Sequence, residues 1–324
     1  MRVAVTGSIA TDHLMTFPGR FTDQLVQDKL ESISLSFLVD QLDIRRGGVA
    51  ANIAFGMGSL GLTPILVGSV GNDFADYRSW LDRHGVDTSS VRTSDVAYTA
   101  RFVCTTDADD NQLASFYPGA MSEAREIELQ PIAERFGGLD VVLVSPNDPE
   151  AMIRHSEECR TRGYAFAADP SQQLAIMEGD AIRKLIDGAT YLFTNEYESA
   201  LTEQKTGWSP EEILDRVKVR VTTHGAKGVV IERKGEPAIS VPVVPVTEKR
   251  DPTGVGDGFR AGFLAGLSWD LPYERCAQIG SLIATYVLET VGPQEYTLDR
   301  TAVLARLTET YGEEAAAEIG AHLS

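Results

Sequence analysis

Basic residues are in short supply in this chain. Its 324 residues include 47 Asp and Glu but only 29 Lys and Arg, for a formal charge of −18. That balance argues against nonspecific binding to nucleic acid or to an anionic membrane, where phosphate attraction needs a basic face. A polyanionic ligand must instead meet locally arranged backbone amides and a few cations, and a metal-bound nucleotide suits that better than a bare polyanion. Cysteine is scarce as well. Cys104, Cys159 and Cys276 are too few and too scattered for a disulfide framework or a thiolate metal site. The five histidines make no HxH or HExxH spacing. There is no run of about 18 apolar residues to span a membrane, and the chain opens on a strand-like stretch rather than a charged region and an apolar segment. No internal repeat, low-complexity tract or long linker is visible. The expectation is a globular chain working in the cytoplasm.

What is present is concentrated in Asp251-Pro-Thr-Gly-Val-Gly-Asp257 and the apolar stretch behind it. A short glycine-containing loop runs into a helical pattern, with Asp257 in the first turn. Gly254 and Gly256 lack Cβ atoms, so a phosphate group can approach their amides closely. The helix start adds unpaired N–H groups and the positive end of a dipole. A carboxylate beside an anion site fits a general base that takes the proton from an attacking alcohol. The loop is not a Walker A sequence, because Gly-Lys-Ser/Thr is absent. Phe259 stands where a dinucleotide fingerprint needs its third glycine. On its own a Gly-x-Gly pair is an ordinary turn, and an isolated first-turn Asp is a dipole partner.

Short apolar runs at 3–6, 65–68, 141–145, 165–168, 191–194 and 219–223 read as buried strands. Helical patterns separate them at 50–60, 149–162, 180–186, 196–205 and 210–217. This alternation predicts an α/β fold with a central, mainly parallel sheet and helices on both faces. Helices dominate after Gly256, with long candidates at 272–290 and 299–323. Two segments depart from the pattern. Residues 33–39 alternate apolar and mostly polar positions, as a strand does. Residues 99–106 and 112–117 read as a hairpin about Asp109, which sets Phe102 opposite Phe116 on one face.

The chain resembles the ribokinase-like family of sugar and nucleoside kinases nearly end to end. The resemblance rests on Gly7 to Asp12, Gly47-Gly48-x-x-x-Asn52, Asn195-x-x-Glu198, Thr223-x-Gly225-x-x-Gly228 and the loop from Gly254 to Asp257. Within the family, Ser34-Leu-Ser-Phe-Leu-Val-Asp40, Phe116-Tyr-Pro-Gly-Ala-Met-Ser-Glu-Ala-Arg125 and Asp169-Pro-Ser-Gln-Gln-Leu174 look most like bacterial adenosine kinases. The resemblance implies one kinase domain over 1–324 with a small β lid built from insertions near 14–46 and 96–119. It also implies ATP as co-substrate, Mg²⁺, a monovalent cation such as K⁺ whose ligands are not assigned, and a homodimer joined through lid strands with open edges.

By the same resemblance, Asp12, Gly48 and Asn52 hold the sugar and aim its primary hydroxyl at Asp257, while Gly254 and Gly256 form the anion hole. A carboxylate can accept two hydrogen bonds from a vicinal diol, which suits ribose. Phe102 and Phe116 would form a platform for a flat base, with stacking worth ~1–3 kcal/mol; paired lid phenylalanines otherwise pack against the body. Gln172 and Gln173 carry amides able to read base edges, and Ser8 and Ser36 are further polar contacts. Asn195, Thr223, Gly225, Gly228 and Gly256 are the nucleotide residues, with Glu198 serving Mg²⁺ through water. The implied reaction is phosphorylation of adenosine at its 5′-hydroxyl. A kinase of ribose or another purine nucleoside, or a nucleoside-binding sensor without catalysis, remains open.

Overall fold

The structure is a computed structural model and describes residues 1–25 and 36–323. In chain order the strands are β1 (Val3–Thr6), β2 (Ala10–Thr16), β3 (Gln41–Gly47), β4 (Ile65–Val67), β5 (Ser69–Val70), β6 (Arg92–Thr93), β7 (Ala100–Thr106), β8 (Gln112–Tyr117), β9 (Val141–Val144), β10 (Phe166–Ala168), β11 (Tyr191–Asn195), β12 (Val219–Thr223), β13 (Val229–Glu232) and β14 (Ile239–Val241). The helices are α1 (Phe21–Gln24), α2 (Val49–Ser59), α3 (Ala75–Arg83), α4 (Leu129–Phe136), α5 (Pro149–Arg162), α6 (Gly179–Ile186), α7 (Glu196–Thr206), α8 (Pro210–Leu214), α9 (Val255–Ser268), α10 (Tyr273–Leu288), α11 (Arg300–Tyr311) and α12 (Glu313–Gly320).

Eight strands form one sheet in the order β14-β13-β12-β11-β10-β9-β1-β4. From β4 to β12 every neighbour runs parallel, and β13 and β14 finish the far edge antiparallel. The strands are apolar on both faces because both faces are covered. Period-two alternation divides them between two cores. Val3, Val5, Val141 and Leu143 join Phe259 and Phe263 of α9 and Ile279 and Ile283 of α10 on one side. Ala4, Val142 and Val144 join Met152 of α5, Ile182 of α6 and Leu129 of α4 on the other. Helix starts follow the local chemistry: Asp148 accepts from the Glu150 amide at 2.9 Å, and Pro149 occupies the first turn of α5.

A second sheet of four strands, β3-β2-β7-β8, begins immediately after β1. Its β7–β8 hairpin has the expected register, with Phe102 opposite Phe116. The turn is held by the Asp107 side chain, which accepts from the amides of Asp109 and Asn111 at 2.9 Å each.

Two expectations require correction. Residues 36–39 carry no strand, and the strand that pairs with β2 is Gln41–Gly47; the rest of the expected 33–39 strand lies outside the described residues. The alternation of side chains was real as a pattern, but the ladder partners are the residues after it. The long helix expected at 299–323 is two helices, α11 and α12, with the chain breaking at Gly312. No helix among the described residues is long and apolar enough to cross a membrane.

Candidate active site

The parallel strands β1, β9 and β10 end on one edge of the large sheet, where ligands of such folds collect. Between these ends, the small sheet and the starts of α2 and α9 lies a cavity of about 430 Å³. Ser8 and Pro146 follow β1 and β9, and Gln172 and Gln173 follow β10. Asp12 comes from β2 and Phe116 from β8, while Asn52 and Asp257 come from α2 and α9. All of these line the cavity, with Gly48, Gly254, Met121 and Ile176.

The α9 start has the geometry of an anion site. Asp251 shapes the loop before it, accepting from the amides of Thr253 at 2.9 Å and Gly292 at 3.1 Å. Gly254 is the N-cap, in the left-handed region at φ 77, and no side chain caps the helix. A Cβ at this position would come within 2.5 Å of the Pro293 Cβ. The first amides of α9 therefore have neither an intrahelical partner nor a capping side chain.

Asp257 stands in that first turn. Asn52 Nδ2 donates to its Oδ2 at 2.9 Å, and Gln294 Nε2 in turn donates to Asn52 Oδ1 at 2.8 Å. One edge of Asp257 opens on the cavity, but the surrounding protein takes the carboxylate largely out of water. Burial pushes its pKa up to about 6, opposed by the Asn52 hydrogen bond and the Arg260 charge and reinforced by Glu198. Behind it Arg260, 6% exposed, pairs with the fully buried Asp169 at 2.5 Å. Burial raises the Asp169 pKa against the pull of Arg260.

Toward the small sheet, burial also raises the Asp12 pKa, with Arg45 pulling it down and Asp251 pushing it up. Among the described residues no group hydrogen-bonds the Asp12 carboxylate. Ser8 Oγ accepts from the Val49 amide at 3.0 Å and so helps cap α2. Gly48, at φ 92, lies so close to Ser8 and Ala10 that a Cβ would meet their backbone atoms at 2.6 Å. Gln173 Nε2 donates to the Asn147 carbonyl at 2.6 Å, which fixes its amide. Phe116 lines the cavity, whereas Phe102, on the adjacent strand, and the exposed Ser36 do not.

The residues selected for nucleotide form a second group alongside. Asn195 and Thr223 are Cα partners at the ends of β11 and β12, and Gly225 and Gly228 follow in the next turn. Asn195 and Glu198 cap α7 reciprocally: each side chain accepts from the other's backbone amide at 2.8 Å. With Glu198 engaged in this way and 3.9 Å from Arg260, the pair fits a hydrated Mg²⁺ better than direct ligation. Glu198 and Arg260 also link this group to the α9 start, where Gly256 lies.

Sequence reasoning missed Arg260 as the partner of Asp169, although Asp169 opens one of the motifs and Arg260 stands three residues after Asp257. It also missed Gln294, which stands 242 positions from Asn52 and carries no local signal.

Residues 9–300 match the model of the pfkB family of carbohydrate kinases. A nucleoside kinase of Methanocaldococcus jannaschii is 30% identical over 253 residues, covering 76% of this chain and 80% of that one. The ribokinase of Bacillus subtilis is 25% identical over 297 residues, covering 90% and 94% respectively. The structure of Burkholderia thailandensis nucleoside kinase in complex with inosine superposes with a TM-score of 0.80 at 33% identity, covering 96% of this chain and 99% of that one. With its ribokinase-like α/β architecture, the chain belongs to the pfkB carbohydrate kinase family.

Proposed function

We propose that this protein is an ATP-dependent nucleoside kinase whose preferred acceptor is adenosine, giving AMP and ADP. The observation that carries the reading is the position of Asp257, which faces the cavity while standing in the first turn of a helix whose start is open to an anion. In this reading the 5′-hydroxyl lies at Asp257 Oδ1 and gives up its proton there as its oxygen bonds to the γ-phosphorus. The bond from that phosphorus to the bridging oxygen breaks, and the electron pair leaves with ADP. The amides after Gly254 stabilise charge on the phosphoryl group in transit. Asp12, Gly48 and Asn52 hold the ribose, with Ser8 bracing the loop. Mg²⁺, when bound with ATP, neutralises phosphate charge, and Asn195, Glu198, Thr223, Gly225, Gly228 and Gly256 serve the nucleotide.

A base is preferred over a bare sugar because Phe116, Met121 and Ile176 give the cavity an apolar side next to the two glutamine amides. The inosine-bound relative, at 33% identity, supports the nucleoside class; the adenosine preference rests on the sequence resemblance. The four-stranded sheet is read as a lid on one kinase domain, its closure excluding water. Ser36 and Phe102 would reach the nucleoside only as that lid closes. Its edge strand β3 exposes Leu42 at 54% and Ile44 at 57%, which supports lid-to-lid pairing in a homodimer; a monomer at micromolar concentration in sedimentation would contradict it.

The test is phosphorylation by purified protein with Mg-ATP, offering adenosine, inosine, guanosine and ribose separately. Preference for adenosine supports the whole reading. Preference for ribose keeps the kinase and removes the base pocket. Binding of adenosine without turnover of any acceptor identifies a sensor.

A further inference from the structure

From Trp80, behind the cavity, to Asp257 in its wall, four side chains form one directed line of hydrogen bonds, with Tyr77 on a branch. Trp80 Nε1 donates to Gln294 Oε1 at 3.2 Å. Gln294 Nε2 donates both to Asn52 Oδ1 at 2.8 Å and to the Tyr77 hydroxyl at 2.6 Å. Asn52 Nδ2 then donates to Asp257 Oδ2 at 2.9 Å, and Tyr77 donates to the Gly47 carbonyl at 2.8 Å. Gln294 is 1% exposed, Tyr77 5% and Asn52 7%, so water does not substitute freely for any partner.

The direction of this line is set at its far end. An indole N–H only donates. It obliges Gln294 to turn its oxygen toward Trp80 and its amino group toward Asn52. Asn52 must then offer its oxygen to Gln294, which leaves its amino group for Asp257. Reversing the Gln294 amide would set two donors against each other at Trp80. The Trp80 ring is itself held, with Phe55 stacked at 6.0 Å and the Arg46 guanidinium over it at 4.1 Å.

We propose that Trp80, Gln294 and Tyr77 are positioning residues for phosphoryl transfer: they hold the Asn52 amide with its amino group on Asp257 Oδ2, leaving Oδ1 for the acceptor hydroxyl. Tyr77 also anchors Gly47, beside the Gly48 that borders the sugar end of the cavity. The proposal rests on the reading of Asp257 as the base. None of the three residues lines the cavity, so their effect passes through Asn52 and the Gly47-Gly48 loop. The charged and titratable groups around Asp257 are Arg260 on its own helix, Glu198 on α7, Asp169 after β10, Tyr77 on α3 and Tyr296 beyond Gln294.

The experiment measures single-turnover phosphorylation of adenosine against pH, with nucleoside KM and melting temperature, for wild type, Gln294→Glu and Trp80→Phe. A carboxylate at 294 cannot donate, so Asn52 turns its amino group toward it and sets an oxygen against Asp257. The acidic limb of the rate profile should rise by about one unit, with the rate near neutrality down about tenfold and nucleoside KM changed far less. Trp80→Phe adds no charge and keeps a ring, and should shift the limb the same way by a smaller amount. To separate direction from added charge, Gln294→Glu is repeated in an Asn52→Ala background, where the shift should fall to less than half. An equal shift in that background, or wild-type limbs in Gln294→Glu and Trp80→Phe, would overturn the relay. If Gln294→Glu does not fold, an unshifted limb in Trp80→Phe overturns it alone. Asp257→Asn is assayed alongside, and near-normal turnover there would remove the base itself, a different failure.

Discussion

The Asn52 amide donates to Asp257 Oδ2 at 2.9 Å, joining residues 205 positions apart. This contact ties α2, which borders the cavity, to α9, whose start has no capping side chain. It occupies one carboxylate oxygen and partly offsets the cost of burying the charge, so Asp257 can be ionised near neutrality and still bind a proton well.

The pH dependence follows in sign from that environment. Burial raises the Asp257 pKa to about 6, and only the ionised form accepts a proton. Phosphorylation should fall about tenfold per unit as pH drops below that value. A carboxyl that binds its proton more tightly folded than unfolded favours the folded state on acidification. The loss between about pH 7 and pH 5 should therefore occur without unfolding from this group, as stopped assays beside circular dichroism would show. A flat rate profile over that range would contradict the assignment.

Gly254→Ala should impair catalysis more than nucleoside binding. The position has φ 77 and a Cβ would strike Pro293 at 2.5 Å, so the loop must shift. A left-handed non-glycine residue costs about 1–2 kcal/mol before any clash. We expect kcat to fall at least tenfold with adenosine affinity, measured by calorimetry, changed by less than threefold. Those ratios correspond to about 1.4 and about 0.6 kcal/mol.

Phe116→Ala tests the base platform. Phe116 is 52% exposed, so its loss should scarcely change stability. Losing a stacking surface worth ~1–3 kcal/mol should raise the adenosine KM roughly fivefold or more and leave weak ribose turnover unaltered. Equal effects on both acceptors would indicate that the side chain supports the lid rather than a base.

Arg260→Met should be the most destabilising of these changes. It would strand Asp169, fully buried and paired to Arg260 at 2.5 Å, without a counter-charge. Breaking a buried pair from one side costs about 3–5 kcal/mol, readable by urea denaturation. Adding Asp169→Asn in that background should recover part of the loss.

Much of the large sheet was legible in sequence because its strands are short apolar runs between amphipathic helices. The runs at 3–6 and 219–223 match β1 and β12 to the residue. The hairpin register was legible because the Asp107 turn fixes it. The strand expected at 33–39 failed over 36–39, its described part, because alternation marks a two-faced segment without saying which residues find a ladder partner. The antiparallel strands β13 and β14 were missed, although Val229-Val-Ile231 is an apolar run of the same kind. The family resemblance, with the hairpin register for Phe116, picked out nine of the residues that line the cavity, from Ser8 to Asp257. It could not reach Gln294, Tyr77 or Trp80, whose role exists only once the chain brings α2, α3 and the 292–296 segment together.

The most direct test of the account is Asp257→Asn, assayed with Mg-ATP and adenosine beside the wild type. The change keeps the shape of the side chain and removes its basicity. The account predicts AMP formation slowed by about 10²–10⁴, with adenosine still bound at close to wild-type affinity. Turnover within a few-fold of wild type would contradict it.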